Sequence, residues 1–154
     1  MIESSTIFVV DASVAVKWLL PLDEEPHAEL ALRVLQDARD GRSSLVSPSH
    51  LSYEVGSALV KAVRNKDRVV TLAQGFEALR TFQQLGYPVL YDEDHVKTSA
   101  WELAHQFGCS FYDATYLALS SDLGWPLIHA DDALRRKLSG RFAHEMWIED
   151  YVIA

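Results

Sequence analysis

Five short apolar runs, separated by longer stretches of helical periodicity, constrain this chain more than any other feature. TIFVV (Thr6–Val10) is apolar and β-branched, which marks a buried strand. Ser44–Ser47, PVLY (Pro88–Tyr91) and PLIHA (Pro126–Ala130) read the same way, and Glu145–Ile148 reads as a final edge strand. Between them, SVAVKWLL (Ser13–Leu20) is expected to be a helix stopped by Pro21. Glu25–Asp40 carries apolar residues at helical spacing and stops at Gly41. Ser47-Pro48 offers an N-cap and a first-turn proline to a helix with Leu51, Val55, Ala58, Leu59 and Ala62 on one face. Further helices are expected over Val69–Leu85, Glu93–Phe107, Phe111–Leu123 and Asp132–Leu138. Strands alternating with helices specify an α/β fold with a mostly parallel sheet. The 154 residues contain no repeat, linker or low-complexity segment, so a single domain over 1–154 is expected.

At 49% hydrophobic and 23% charged residues, the composition is that of a globular chain and excludes a disordered one. No apolar stretch approaches the roughly 20 residues of a membrane span. MIESST has neither a basic n-region nor an apolar h-region, so no secretory signal is expected. Cys109 stands alone, which suits a cytoplasmic protein in a reducing compartment. A net charge of -8 argues against a nucleic-acid partner until its distribution is examined. Eight of the 14 Lys and Arg residues lie in two segments, Lys61–Arg68 and Arg135–Arg141, while acidic runs sit at Asp23–Glu25 and Asp92–Asp94. The first basic segment suits a solvated helix end. The second follows directly on an acidic candidate site.

In an open parallel sheet, chemistry gathers beyond the C-terminal ends of the strands. Asp11 follows the first strand at once, and Asp131 follows the PLIHA strand. Asp113 falls in the first turn of the Phe111–Leu123 helix, and Glu54 about two turns into the helix after Ser47-Pro48. Each aspartate has a plainer use. Asp11 can cap the SVAVKWLL helix, Asp131 or Asp132 can cap the next, and Ser110-x-x-Asp113 has capping-box spacing. Glu54 lies too far into its expected helix to cap it and borders the apolar stripe. Four carboxylates delivered to one sheet edge repel, and a proton or cation must relieve them. Oxygen-only ligands favour Mg²⁺ or Mn²⁺ over zinc, and no Cys/His pattern at zinc spacing is present. A carboxylate site holding one or two such ions is common machinery for phosphodiester hydrolysis.

Smaller residues complete the candidate set. Ser13 can hydrogen-bond a ligand carboxylate or be an idle helix hydroxyl. His129 can contact a substrate phosphate or simply pack on its strand. Tyr112 and Trp18 can stack on bases or belong to the core. Arg135, Arg136 and Lys137 can draw in a nucleic-acid backbone.

VVDASVAVKWL (Val9–Leu19), Glu54 after Pro48, FYDATYLALS (Phe111–Ser120) and LIHAD (Leu127–Asp131) together resemble a PIN domain, and more narrowly a VapC-type toxin ribonuclease. The likeness covers the whole chain in the family's order. It implies a three-layer α/β/α fold with a five-stranded parallel sheet and Mg²⁺- or Mn²⁺-dependent endonuclease action on RNA. Asp11, Glu54 and Asp113 match the family's main acidic ligands, Asp131 its less regular fourth, and Ser13 its small hydroxyl residue. A homodimer and a cognate antitoxin, whose C-terminal segment covers the site, are implied as well. One departure stands out, because His129 occupies a position where the family usually has Thr or Ser.

Other readings make different demands. A phosphoacceptor receiver domain would have paired acids after strand one and a lysine after its last strand, whereas Ala12 follows Asp11 here. A haloacid-dehalogenase-like phosphatase would carry a second aspartate where Ser13 stands. A PIN nuclease of RNA processing, or a PIN-like module that only binds, would share every motif above.

Overall fold

The structure is a computed structural model that describes residues 5–21, 23 and 25–152. The first four residues of the MIESST start and Glu24 of the acidic run lie outside the described residues. Five strands form the sheet: β1 (Thr6–Val10), β2 (Ser43–Pro48), β3 (Val89–Tyr91), β4 (Leu127–His129) and β5 (Glu145–Trp147). Their order is β3-β2-β1-β4-β5 and every pairing is parallel. Among the described residues seven α-helices accompany them: α1 (Ala12–Ala15), α2 (Ala28–Arg39), α3 (Leu51–Arg64), α4 (Leu72–Leu85), α5 (Asp94–Phe107), α6 (Phe111–Leu123) and α7 (Asp132–Leu138).

The alternation of side chains along β1 separates the layers. Phe8 and Val10 join Val14, Ala31, Val34, Leu45, Ile128 and Trp147 on the α2 side. Val9 points the other way and joins Val46, Leu127 and the apolar stripes of α3, α5 and α6. Buried on both faces, β1 has to be apolar throughout its inner half.

Several boundaries differ from those expected, each for a tertiary reason. Ser47 does not cap a helix. It is a fully buried β2 residue whose hydroxyl donates to Val10 O at 2.5 Å, and Pro48 pairs with Tyr91 at the strand's end. Helix α3 therefore begins only at Leu51. The expected Ser13–Leu20 helix is the four-residue α1 followed by a 3₁₀ turn over Val16–Trp18. Helix α2 starts at Ala28 rather than Glu25, since Pro26 disfavours helical backbone before it. Helix α4 starts at Leu72, where Thr71 and Gln74 exchange hydrogen bonds of 3.1 and 2.8 Å in a capping box.

Strand order 3-2-1-4-5 makes the chain turn to opposite sides of β1 on either side of the β1/β4 boundary. This switch point opens a crevice at the C-terminal ends of those two strands. A receiver domain would show order 2-1-3-4-5, so the topology sets that reading aside. No helix among the described residues is long and apolar enough to cross a membrane.

Candidate active site

Asp11 is the first residue beyond β1, and its backbone N–H still bonds Ile128 O of β4 at 3.1 Å. It caps α1: Oδ2 accepts from Ser13 N at 3.0 Å and from Ser13 Oγ at 2.5 Å. The Ser13 hydroxyl in turn accepts from Ala130 N at 2.9 Å. One side chain thus ties the end of β1 to the residue before Asp131. Asp131 caps α7 through Oδ1, which accepts from Leu134 N at 3.1 Å. The capping reading is correct for both aspartates, yet it uses only one carboxylate oxygen of each. Both residues also line a cleft of about 350 Å³, together with Ser13, Glu54, Lys61 and Asp113. Asp132, by contrast, is exposed outside this lining.

Asp113 reaches the cleft from the first turn of α6, where its N–H bonds Ser110 Oγ at 3.0 Å. Glu54 lies in the first turn of α3, not two turns in, because β2 retains Ser47 and Pro48. Its carboxylate therefore gains from the helix N-terminus, a bland role that the expected boundary had denied it. Its side chain is nevertheless held from outside its own helix. Tyr116 Oη donates to Glu54 Oε1 at 3.0 Å, and His50 Nδ1 lies 2.6 Å from the same oxygen.

His50, Thr115 and Tyr116 were not singled out in the sequence. Thr115 Oγ1 donates to Tyr112 O at 2.6 Å, so it accepts from His50 Nε2, which it also contacts. The imidazole stands edge-on to Tyr112 and Tyr116 at centroid distances of 5.1 and 5.2 Å. This chain of contacts joins α3 to α6 around Glu54. The available sequence signals were His50 four residues before Glu54 and Tyr116 three after Asp113, both helical spacings.

The electrostatics confirm that the acids share one field. Burial raises the Asp11 pKa to about 6 despite the Ser13 hydrogen bonds, and the Glu54 charge adds to the rise. Burial also raises Asp113, opposed by Ser110 and reinforced by the charges of Asp131 and Glu54. Burial, with Asp11 and Glu54 nearby, pushes the Tyr116 phenol well above its ordinary value, so it remains a hydrogen-bond donor.

Not every expected residue reaches the cleft. His129 is fully buried; its Nε2 lies 2.9 Å from Glu145 Oε1 and its ring stands edge-on to Trp147. Phosphate contact by His129 is therefore corrected to packing behind Asp131. Its Nδ1 accepts a long 3.4 Å contact from the Asp131 N–H. Trp18 donates to Ala31 O at 2.8 Å and packs between both core clusters, which removes it as a stacking platform. Tyr112 stays largely exposed beside His50. Arg135 lies over the Trp147 ring at 4.4 Å, and Arg136 and Lys137 occupy exposed α7 positions outside the cleft lining.

The donor set fits a hard divalent ion: carboxylate oxygens, and a buried Asp11 that forms no ion pair among the described residues. Among the described residues no three such side chains already form a closed metal-holding group. Mg²⁺ tolerates that spacing because it keeps several of its waters.

Comparisons with known proteins agree with this architecture. The PIN domain family profile matches residues 8–137. PAE2754 from Pyrobaculum aerophilum superposes with a TM-score of 0.64 at 22% identity, covering 94% of this chain and 92% of its own. Mycobacterium tuberculosis VapC20, described as a sarcin-ricin loop cleaving toxin, gives 0.61 at 16% identity, covering 89% and 97%. Among curated proteins, none matches. With the family profile spanning most of the chain and the sheet order and acidic cleft in place, the protein belongs to the PIN domain family.

Proposed function

We propose that this chain is a metal-dependent endoribonuclease and the toxin of a type II toxin–antitoxin pair. The observation that carries the reading is the delivery of Asp11, Glu54, Asp113 and Asp131 to one cleft at the β1/β4 switch point. Asp11, Glu54 and Asp113, with Asp131 as the fourth, would hold one or two Mg²⁺ or Mn²⁺ ions. Such an ion supplies a water of lowered pKa and positive charge opposite the leaving oxygen. The chain's own part is orientation. Ser13 fixes the Asp11 carboxylate, Ser110 the first turn of Asp113, and Tyr116 with His50 the Glu54 carboxylate. The Ser13 and Tyr116 hydroxyls, both neutral donors, hold Asp11 and Glu54 without cancelling their charge, which leaves that charge for the ion.

The toxin role rests on fold likeness to VapC20 and on a second surface. An apolar groove of about 310 Å³ between α3 and α4, lined by Leu59, Val60, Leu72 and Phe76, occupies another face of α3 from the Glu54, Ser57, Ala58 and Lys61 that line the acidic cleft. An antitoxin with an apolar stretch for this groove and an arginine that reaches round α3 to the carboxylates would engage both. A cytoplasmic homodimer completes the reading.

The decisive experiment is cleavage of single-stranded RNA with Mn²⁺ or Mg²⁺. Cleavage should stop with chelator and in Asp11→Asn and Asp113→Asn. Undiminished cleavage in both folded variants would overturn the assignment. Metal and RNA binding without turnover would favour a silent binding module. Growth arrest on expression, relieved by co-expressing a small gene encoded beside this one, separates a toxin from an RNA-processing nuclease.

A further inference from the structure

We propose that Lys61 binds the phosphate backbone of the RNA at the mouth of the acidic cleft, an inference that rests on the ribonuclease reading above. Lys61 shares one stripe of α3 with Glu54, Ser57 and Ala58, at spacings of three, four and seven residues, and all four line the cleft. Two helical turns separate Glu54 from Lys61, about 10 Å along the axis. The small Ser57 and Ala58 between them leave the wall open for a strand to lie along it. Lys61 is exposed, and its ammonium makes no ion pair or hydrogen bond with a described residue.

Several other cations of the described residues are already engaged, and Arg39, Arg64, Lys66, Arg136 and Lys137 lie outside the cleft lining. Lys17 pairs with Glu25, Arg42 with Asp37 and Asp40, and Lys97 with Asp92 and Asp94. Arg135, Arg141 and Arg80 lie over Trp147, Phe107 and Phe76. Within the cleft lining, Lys61 is the one cation against four carboxylates. A polyanion approaching that lining meets repulsion everywhere except at this residue. A lysine placed only for the helix C-terminus could point anywhere around the last turn of α3; this one points along the wall that carries Glu54. The geometry moves the main backbone contact from the basic run of α7 to α3.

The test is steady-state cleavage of a short single-stranded RNA by the full chain in Mn²⁺, for wild type, Lys61→Gln, Lys61→Arg and Lys66→Gln. Lys61→Gln should raise KM on the order of tenfold with kcat little changed. It should flatten the salt dependence of log(kcat/KM) by about 0.7, the contribution of one phosphate contact on a single strand. Lys61→Arg should restore both, and Lys66→Gln, a matched charge loss outside the cleft, should change neither. Anisotropy of labelled RNA on the Asp11→Asn background with Mg²⁺ reads binding separately from cleavage. There the Lys61→Gln change should weaken affinity even if wild type never cleaves, so the two readings fail independently. An unchanged KM and salt slope, a fall in kcat alone, or an effect found instead at Arg136→Gln or Lys137→Gln would overturn the assignment.

Discussion

If burial holds Asp11 away from its ordinary pKa, Asp11→Asn should make the metal-free protein more stable at neutral pH while abolishing its response to metal. Asp11 is 4% exposed and its pKa rises from 3.8 to about 6, chiefly through loss of hydration. The folded state thus binds this proton more tightly than the unfolded chain does. The resulting stabilisation is fully present below pH 3.8 and is lost as pH rises through about 6. A shift of about two units corresponds to roughly 3 kcal/mol that the ionised carboxylate withholds at pH 7.5. Asparagine keeps an acceptor for the Ser13 N–H and Oγ–H and caps a helix as well as aspartate. Its amide NH₂ loses about 1 kcal/mol where it meets no acceptor. The net gain expected is about 1–2 kcal/mol in chelator at pH 7.5, or about 2–8 °C in Tm for a chain of this size. It should vanish at about pH 5 and reverse by pH 4, where Asp11 is protonated and only the amide's lost hydrogen bond remains. Urea denaturation of both proteins across pH 4–8 measures it. Saturating Mn²⁺, at about 100 times Kd, should add about 2.7 kcal/mol to wild type and little to the variant. A variant equally or less stable at pH 7.5, with a parallel pH dependence, would mean that Asp11 is an ordinary cap.

The contacts around Glu54 predict that Tyr116→Phe costs about 1 kcal/mol in stability. It should also weaken Mn²⁺ binding on the order of tenfold by calorimetry, because Glu54 Oε1 loses the 3.0 Å donor that orients it. Equal affinity would show that the phenol only packs. His50→Ala should weaken Mn²⁺ further, since it releases both the Glu54 contact and the link to Thr115, whereas a purely structural histidine would change Tm alone. Gly75→Ala should destabilise despite gaining about 1 kcal/mol of helix propensity. A Cβ there would sit 2.7 Å from Val63 Cγ2 across the α3–α4 contact. Restored stability in the Gly75→Ala, Val63→Ala double variant would locate the strain, and a stabilising single variant would refute it.

The sheet and two of the acids could be read from the chain because each depends on neighbours in sequence. A parallel strand puts its next residue at the crevice, so Asp11 after β1 and Asp131 after β4 follow from local pattern. Capping and cleft lining looked like rivals only because each was assigned to a whole residue. A helix starting at a strand's C-terminal edge lets one oxygen cap while the other faces the cleft. Glu54 was found by a flawed route. Ser47-Pro48 has the chemistry of a helix start, but Ser47 is claimed by Val10 O on the adjacent strand. His50 and Tyr116 depended on how α3 faces α6, and the fate of Arg135 on β5 bringing Trp147 beneath it. Neither is encoded in local periodicity.

The hydrogen bonds of the cleft explain how an acidic protein can keep an acidic site in order. Ser13 and Tyr116 are neutral donors to Asp11 and Glu54, so they fix direction without lowering total charge, while Ser110 accepts from the Asp113 N–H and sets the first turn of α6. Burial meanwhile makes that charge costly, most of all at Asp11. A structural role would favour the opposite arrangement, with each buried carboxylate paired to its own cation, as Asp37 is to Arg42 elsewhere in the fold. Both solutions occur among the described residues, with Asp37 paired to Arg42 and Asp11 in no ion pair. The difference separates a carboxylate that completes the fold from one whose partner arrives with the reaction.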